Sequence, residues 1–226
     1  MDGNTMRRIL LLVACAILGE GRGLTRRAVI GASALFGMPQ RSRGMVLDMS
    51  GLDGHIFYAD SVTTESAVRL QTTLLRQMHV AQHVADAHGC SPLPIHLHIQ
   101  SPGGSVAPAL FLYDLIHNSS VPVHTHVEGL CASAATLLAV AGQHRTITPH
   151  SCMLLHQPSI TLYDAYKYTD LRDQATNMQT VTQSILQVYA DRTTLSEGDI
   201  TEIVLQESLL DAQTCLKYGL VDEIVI

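Results

Sequence analysis

Two short segments constrain the fold most. Pro94–Gln100 (PIHLHIQ) and Val121–Val127 (VPVHTHV) alternate apolar and polar residues. A period of two belongs to a strand, and it sets Ile95, Leu97 and Ile99 on one face of the first segment. Each is followed by a helical pattern rather than a hairpin turn. Ser105 opens an amphipathic helix through Leu110, Tyr113 and Ile116, and Ala134–Ala141 is apolar all round, which marks a buried helix. Strands alternating with helices predict an α/β domain.

The flanking segments continue the pattern. His55–Ala59 (HIFYA) and Cys152–His156 (CMLLH) read as short strands. Thr63 or Thr64 can cap a long helix carrying Val68, Leu74, Leu75, Met78 and Val84, with Gly89 as its stop. Asp164–Arg192 places Leu171, Ala175, Met178, Ile185 and Val188 at helical spacing. Ser196 with Asp199 resembles a capping box, and Asp211 can cap a further helix ending at Gly219. Gly142–Ser151 reads as a loop, and LVDEIVI closes the chain as a strand.

Residues 1–44 stand apart as a targeting segment, leaving 45–226 as one domain. Ile9–Leu18 (ILLLVACAIL) follows Arg7 and Arg8 and has signal-peptide character, but is shorter than the ~20 apolar residues a membrane span needs. Gly21–Leu47 holds five arginines and no lysine or acid, a transit-peptide composition. Thr25–Gly37 also admits a twin-arginine reading. Together they predict an organelle address, a plastid ahead of a mitochondrion, with no stable membrane span. The bland alternative is a tail with no address. The net charge of −6, with no basic stripe in the body, argues against nucleic acid. Five widely spaced cysteines without a CxxC pair argue against a disulfide framework or a thiolate zinc site.

Three features carry chemistry. Ile99–Val106 (IQSPGGSV) runs from strand through Pro-Gly-Gly to a helix start, which suits an oxyanion hole and equally an ordinary tight turn. Ser133 lies among small residues (Cys131, Ala132, Ala134, Ala135) at a helix start; it is either a nucleophile or a plain N-cap, and the Ala134 amide there suits developing negative charge. His156 ends an apolar strand, as a base or as a structural histidine. His96 with His98, and His124 with His126, are HxH pairs on strands; four converging imidazoles would bind metal, whereas the favoured reading is a polar sheet face with no metal or other cofactor.

Taken together, SPGGSV, GLCASAATLLAVAG and MLLHQP resemble the Clp protease proteolytic subunit family (ClpP), serine peptidases. The similarity runs from about His55 to Ile226, and LYD (Leu112–Asp114) and KYGLVDEI (Lys217–Ile224) fit in order. GLVDEI alone also occurs in crotonases. The resemblance implies a ClpP/crotonase-like α/β fold: stacked β-sheets wrapped by helices, with a protruding helix–strand handle.

It further implies Ser133 as nucleophile, His156 as general base and the amides of Gly104 and Ala134 as oxyanion donors. The family's orienting aspartate falls on Glu207, which is preferred to Asp211, the position of a helix cap. The implied activity is ATP-dependent proteolysis, the subunit being a serine endopeptidase in heptameric rings of itself or paralogues. An AAA+ Clp ATPase chaperone would deliver unfolded polypeptide, since no GxxxxGK[ST] loop is present. Two departures are a tyrosine-rich segment after His156 in place of a glycine-rich strand, and Glu207 itself. They motivate the alternative of a non-catalytic structural subunit in a mixed ring. A crotonase-like acyl-CoA enzyme is a third reading.

Overall fold

The computed structural model describes residues 45–48, 54–162 and 165–225. The expected targeting segment lies outside the described residues, as do Tyr163 and Asp164, the expected start of the long helix. The described residues divide into two compact units: Ile160–Thr180, and the remainder up to Ser159 and from Val181 onward. The smaller unit contains the first part of helix α4 (Tyr168–Arg192), where the Lys167 amide donates to the Asp170 carboxylate at 3.1 Å. The described residues between Leu154 and Tyr168 form no strand, so this region contributes the helix of the expected handle and no strand.

The larger unit is built on a sheet. Its elements are β1 (Met45–Asp48), β2 (His55–Ala59), α1 (Thr64–His88), β3 (Ile95–Ser101), α2 (Val106–His117), β4 (Val123–Ala132), α3 (Ala135–Ala141), β5 (His144–Ile147) and β6 (Cys152–Leu154). After α4 come α5 (Glu197–Gln206), β7 (Leu209–Asp211), α6 (Ala212–Lys217) and β8 (Glu223–Ile224). The strand order is β1-β2-β3-β4-β5-β8, and β6 pairs with β4 and β7 off that path. Among the described residues, β1 pairs antiparallel with β2 and β7 with β6, and the other pairings are parallel.

Local chemistry explains the boundaries. Thr63 and Ser66 form a reciprocal capping box on α1, and Gly89 ends that helix at φ 65°. Ser196 and Asp199 do the same for α5, and the Asp211 carboxylate accepts from the Thr214 amide at 2.8 Å to start α6. Ile95, Leu97, Ile99, Val123 and Val127 are all buried on one side of the sheet. They pack into one core with Leu70 and Leu74 of α1, Leu112 and Ile116 of α2, and the whole apolar run of α3.

Strand β4 forks. His124–Val127 pairs with β5, and Leu130–Ala132 pairs with β6. Opposite the fork the pairing with β3 slips, from Ile99↔Val127 to Ser101↔Cys131. The expected stacking of sheets takes the form of this division within an 8-stranded sheet. The strict alternation stops at Val127, which is why the strand reads as ending there although it continues to Ala132. The expected loop Gly142–Ser151 contains β5, whose HRTI sequence carries little apolar signal. Arg145 is fixed there by the Asp222 carboxylate and by the Arg192 and Gly219 carbonyls. The closing strand shrinks to Glu223–Ile224.

The other side of the sheet is lined with imidazoles. Parallel registers align His55, His96, His124 and His144 in one row, and Phe57, His98, His126 and Thr146 in the next. Diagonal neighbours hydrogen-bond through ring nitrogens: His55 Nδ1 with His98 Nε2 at 2.8 Å, and His96 Nδ1 with His126 Nε2 at 2.9 Å. Glu128 accepts from His98 Nδ1 at 2.6 Å, and the Thr146 hydroxyl meets His126 Nδ1 at 2.7 Å. Of the HxH residues, His96 and His126 are thus engaged with each other, and His98 with His55 and Glu128. Among the described residues, no group of three or more His, Cys, Asp or Glu side chains is arranged to hold a metal ion.

Desolvation, and then the neighbouring imidazoles, lower the pKa of His96 to about 4 and of His126 to about 3. Both lie below the ordinary 6.5, so on acidification the unfolded chain binds protons that the folded one refuses. Stability is therefore expected to be full above the ordinary histidine pKa and to fall as pH drops towards 4. The limiting slope is about 1.4 kcal/mol per pH unit for each imidazole held neutral. Thermal unfolding between pH 7 and 5 checks this, and His126→Gln is expected to flatten the dependence.

Candidate active site

Three parallel strands end side by side, and each end delivers one part of the site. Because Ala132 is registered with Leu154, the residues just past β4 and β6 are neighbours. Ser133 follows β4 directly, and His156 follows β6 after the buried Leu155. The Ser133 hydroxyl and His156 Nε2 are 2.6 Å apart. With the serine O–H donating, Nε2 accepts and the imidazole proton sits on Nδ1.

The backbone holds this serine in an unusual pose. Ser133 has φ 56°, in the left-handed region. A non-glycine residue there costs about 1–2 kcal/mol. Its amide donates to the Leu154 carbonyl at 2.8 Å, which ties the serine's backbone to the strand leading to His156. Placing the residue at a sharp strand-to-helix corner directs its hydroxyl away from both elements.

The third strand end is the Pro-Gly-Gly turn after β3. Val62 clamps it, donating to the Gly103 carbonyl and accepting from the Ser105 amide, both at 2.8 Å. Glycine is required twice. Gly103 has φ 87°, and a Cβ there would lie 2.4 Å from the Ala132 carbonyl and 2.6 Å from the Ser133 Cβ. Gly104 has φ 152°, and a Cβ would lie 2.2 Å from the Val62 carbonyl. The turn therefore packs against the serine itself. Among the described residues, the Gly104 and Ala134 amides have no hydrogen-bond acceptor. Val106, Leu137, Pro158, Ile185 and Tyr189 form an apolar hollow beside Ser133, Ala134 and His156.

The two acidic candidates separate clearly. Asp211 is exposed and occupied as the cap of α6. Glu207 ends α5 at φ 51° and is half-buried. The antiparallel pairing of β6 with β7 runs from Cys152↔Asp211 to Leu154↔Leu209. Continued two residues, that register sets Glu207 opposite His156. No hydrogen bond or ion pair joins the two among the described residues, so the structure brings Ser133 and His156 together but leaves the carboxylate out of contact. Its charge still acts through space: burial lowers the His156 pKa, and Glu207 partly offsets this. The sequence carries no cue to the left-handed C-cap that sets the carboxylate's position, since nothing about a glutamate predicts positive φ.

Comparison with known proteins finds a matching family model and several relatives. Residues 45–226 match the family model described as Clp protease. A Chlamydia trachomatis protein named ATP-dependent Clp protease proteolytic subunit 1 is 32% identical over 184 residues, covering 80% of this chain and 91% of that one. A Chlamydia muridarum protein of the same name is 30% identical, with the same coverage. A third, from Protochlamydia amoebophila, is 31% identical over 134 residues; the match takes in 58% of this chain and 65% of the relative.

Because Glu207 favours the imidazolium, Glu207→Gln is expected to lower the His156 pKa further below its ordinary value. Following the His156 ring signals by NMR against pH checks the direction; an unchanged or raised midpoint contradicts it.

Proposed function

The chain belongs to the Clp protease family, a family of peptidases, and from that premise we propose that it is a serine endopeptidase with Ser133 as nucleophile and His156 as general base. The observation that carries this reading is the 2.6 Å contact of hydroxyl and imidazole beside two acceptor-free amides. Membership alone implies association with Clp ATPases and oligomeric rings. Heptameric rings of this chain or of paralogues, loaded with unfolded polypeptide by an AAA+ chaperone, belong to the proposal.

The steps follow from the geometry. His156 Nε2 takes the Ser133 proton as Oγ attacks the scissile carbonyl carbon. The oxygen that becomes negative accepts from the Gly104 and Ala134 amides. When the C–N bond breaks, His156 returns the proton to the departing amine and an acyl-serine remains. Water then repeats the sequence: His156 removes its proton as the oxygen attacks the ester, the C–Oγ bond breaks, Ser133 takes the proton back from His156, and the new carboxyl product leaves. Burial keeps the imidazole neutral at pH 7 and so able to accept, while Glu207 stabilises the imidazolium once it forms. The apolar hollow suits an apolar side chain on the residue preceding the cleaved bond.

A fluorophosphonate probe on the full, assembled protein is expected to label Ser133 and nothing else. Ser133→Ala should abolish labelling, and His156→Ala should slow peptide hydrolysis by about 10⁴ or more. An assembled ring that does not label favours the non-catalytic subunit.

Residues 1–44 are proposed as an organelle address, a plastid ahead of a mitochondrion, on the arginine-rich, acid-free stretch from Gly21 onward that follows a short apolar core. Among the described residues, no helix is long and apolar enough to cross a membrane. Fusing 1–44 to a fluorescent reporter is expected to carry it into an organelle, and a diffuse cytosolic signal refutes the address.

A further inference from the structure

The left-handed Ser133 needs a support, and the structure contains one behind it. The Ser133 carbonyl accepts from the Thr136 amide at 3.0 Å and from the Thr136 hydroxyl at 2.5 Å. The same hydroxyl meets the Tyr189 hydroxyl at 2.6 Å. Hydrogen counting fixes the direction. A carbonyl only accepts, so the single Thr136 hydroxyl proton goes to Ser133, and Thr136 must accept from Tyr189. Thr136 is fully buried and Tyr189 nearly so, and burial pushes the phenol above its ordinary range, which keeps it a donor.

We infer that Tyr189, acting through Thr136, is a positioning residue that locks Ser133 in its left-handed conformation. It reaches across from α4 to the corner between β4 and α3, and its ring also lines the hollow beside Ser133 and His156. The chain of donors strengthens link by link in a buried site. Without the phenol proton, Thr136 can turn its own hydroxyl elsewhere, and the Ser133 carbonyl keeps only a backbone partner. The serine then relaxes from φ 56°, and its hydroxyl swings away from Nε2. This rests on the peptidase reading for its catalytic consequence, though not for the lock itself.

Tyr189→Phe keeps the ring and removes the proton. In the full-length assembled protein it is expected to cut kcat on a fluorogenic peptide, and the rate of fluorophosphonate labelling, by about tenfold with KM unchanged. Thr136→Val is expected to do the same and Thr136→Ser to retain most of the rate, while the double variant Thr136→Val/Tyr189→Phe is no slower than Thr136→Val alone. Amide hydrogen exchange at Thr136 is expected to accelerate in Tyr189→Phe. A raised KM with kcat intact would make Tyr189 a pocket wall only, and multiplying losses would show that the two residues act separately; either overturns the lock. If wild-type Ser133 does not label, the peptidase reading falls, and exchange alone decides the lock: unchanged Thr136 exchange overturns it.

Discussion

The division of β4 between two partners is the constraint on which the rest depends. A strand of uniform register would keep β5 beside it throughout, and β6 would lose its pairing with β4. The slip against β3 after Val127 turns the last residues of β4 towards β6 instead. Three parallel strand ends then meet at one point, carrying a glycine turn, a serine and a histidine. None of these segments bears the chemistry by itself. A tight turn, a capping serine and a terminal histidine are common; what is specific is the pairing that converges them.

The electrostatics of the site balance burial against a distant charge. Burial favours the neutral imidazole of His156. The same burial opposes the imidazolium, and Glu207 acts in the other direction. Continuing the β6–β7 register would bring residue 207 opposite His156, and among the described residues no hydrogen bond or ion pair joins the two. Asp211, the nearest aspartate in sequence, is committed to a helix end four residues further along that ladder.

Much of this was readable from the residues alone, where the signals are local. Helix caps at Thr63, Ser196 and Asp211 and the stop at Gly89 depend on a few neighbouring atoms, and each is as the sequence implies. The alternation of PIHLHIQ marks β3, and HIFYA marks β2. The illegible parts are those decided by distant partners. HRTI becomes a strand because β4 and β8 flank it and Asp222 neutralises Arg145. LLD becomes one because β6 offers an open edge. The spacing of the HxH pairs could not tell metal ligation from mutual hydrogen bonding, because that depends on registers across three strands. Ser133 and His156 were legible as residue types, and their separation was not.

Among the described residues, Ser133 and Glu207 are the non-glycine residues with positive φ. Each strains the backbone by about 1–2 kcal/mol that glycine would relieve. Glycine at position 133 would relieve that strain only by removing the hydroxyl that meets His156, so a relaxed backbone at this corner and the hydroxyl–imidazole contact exclude one another.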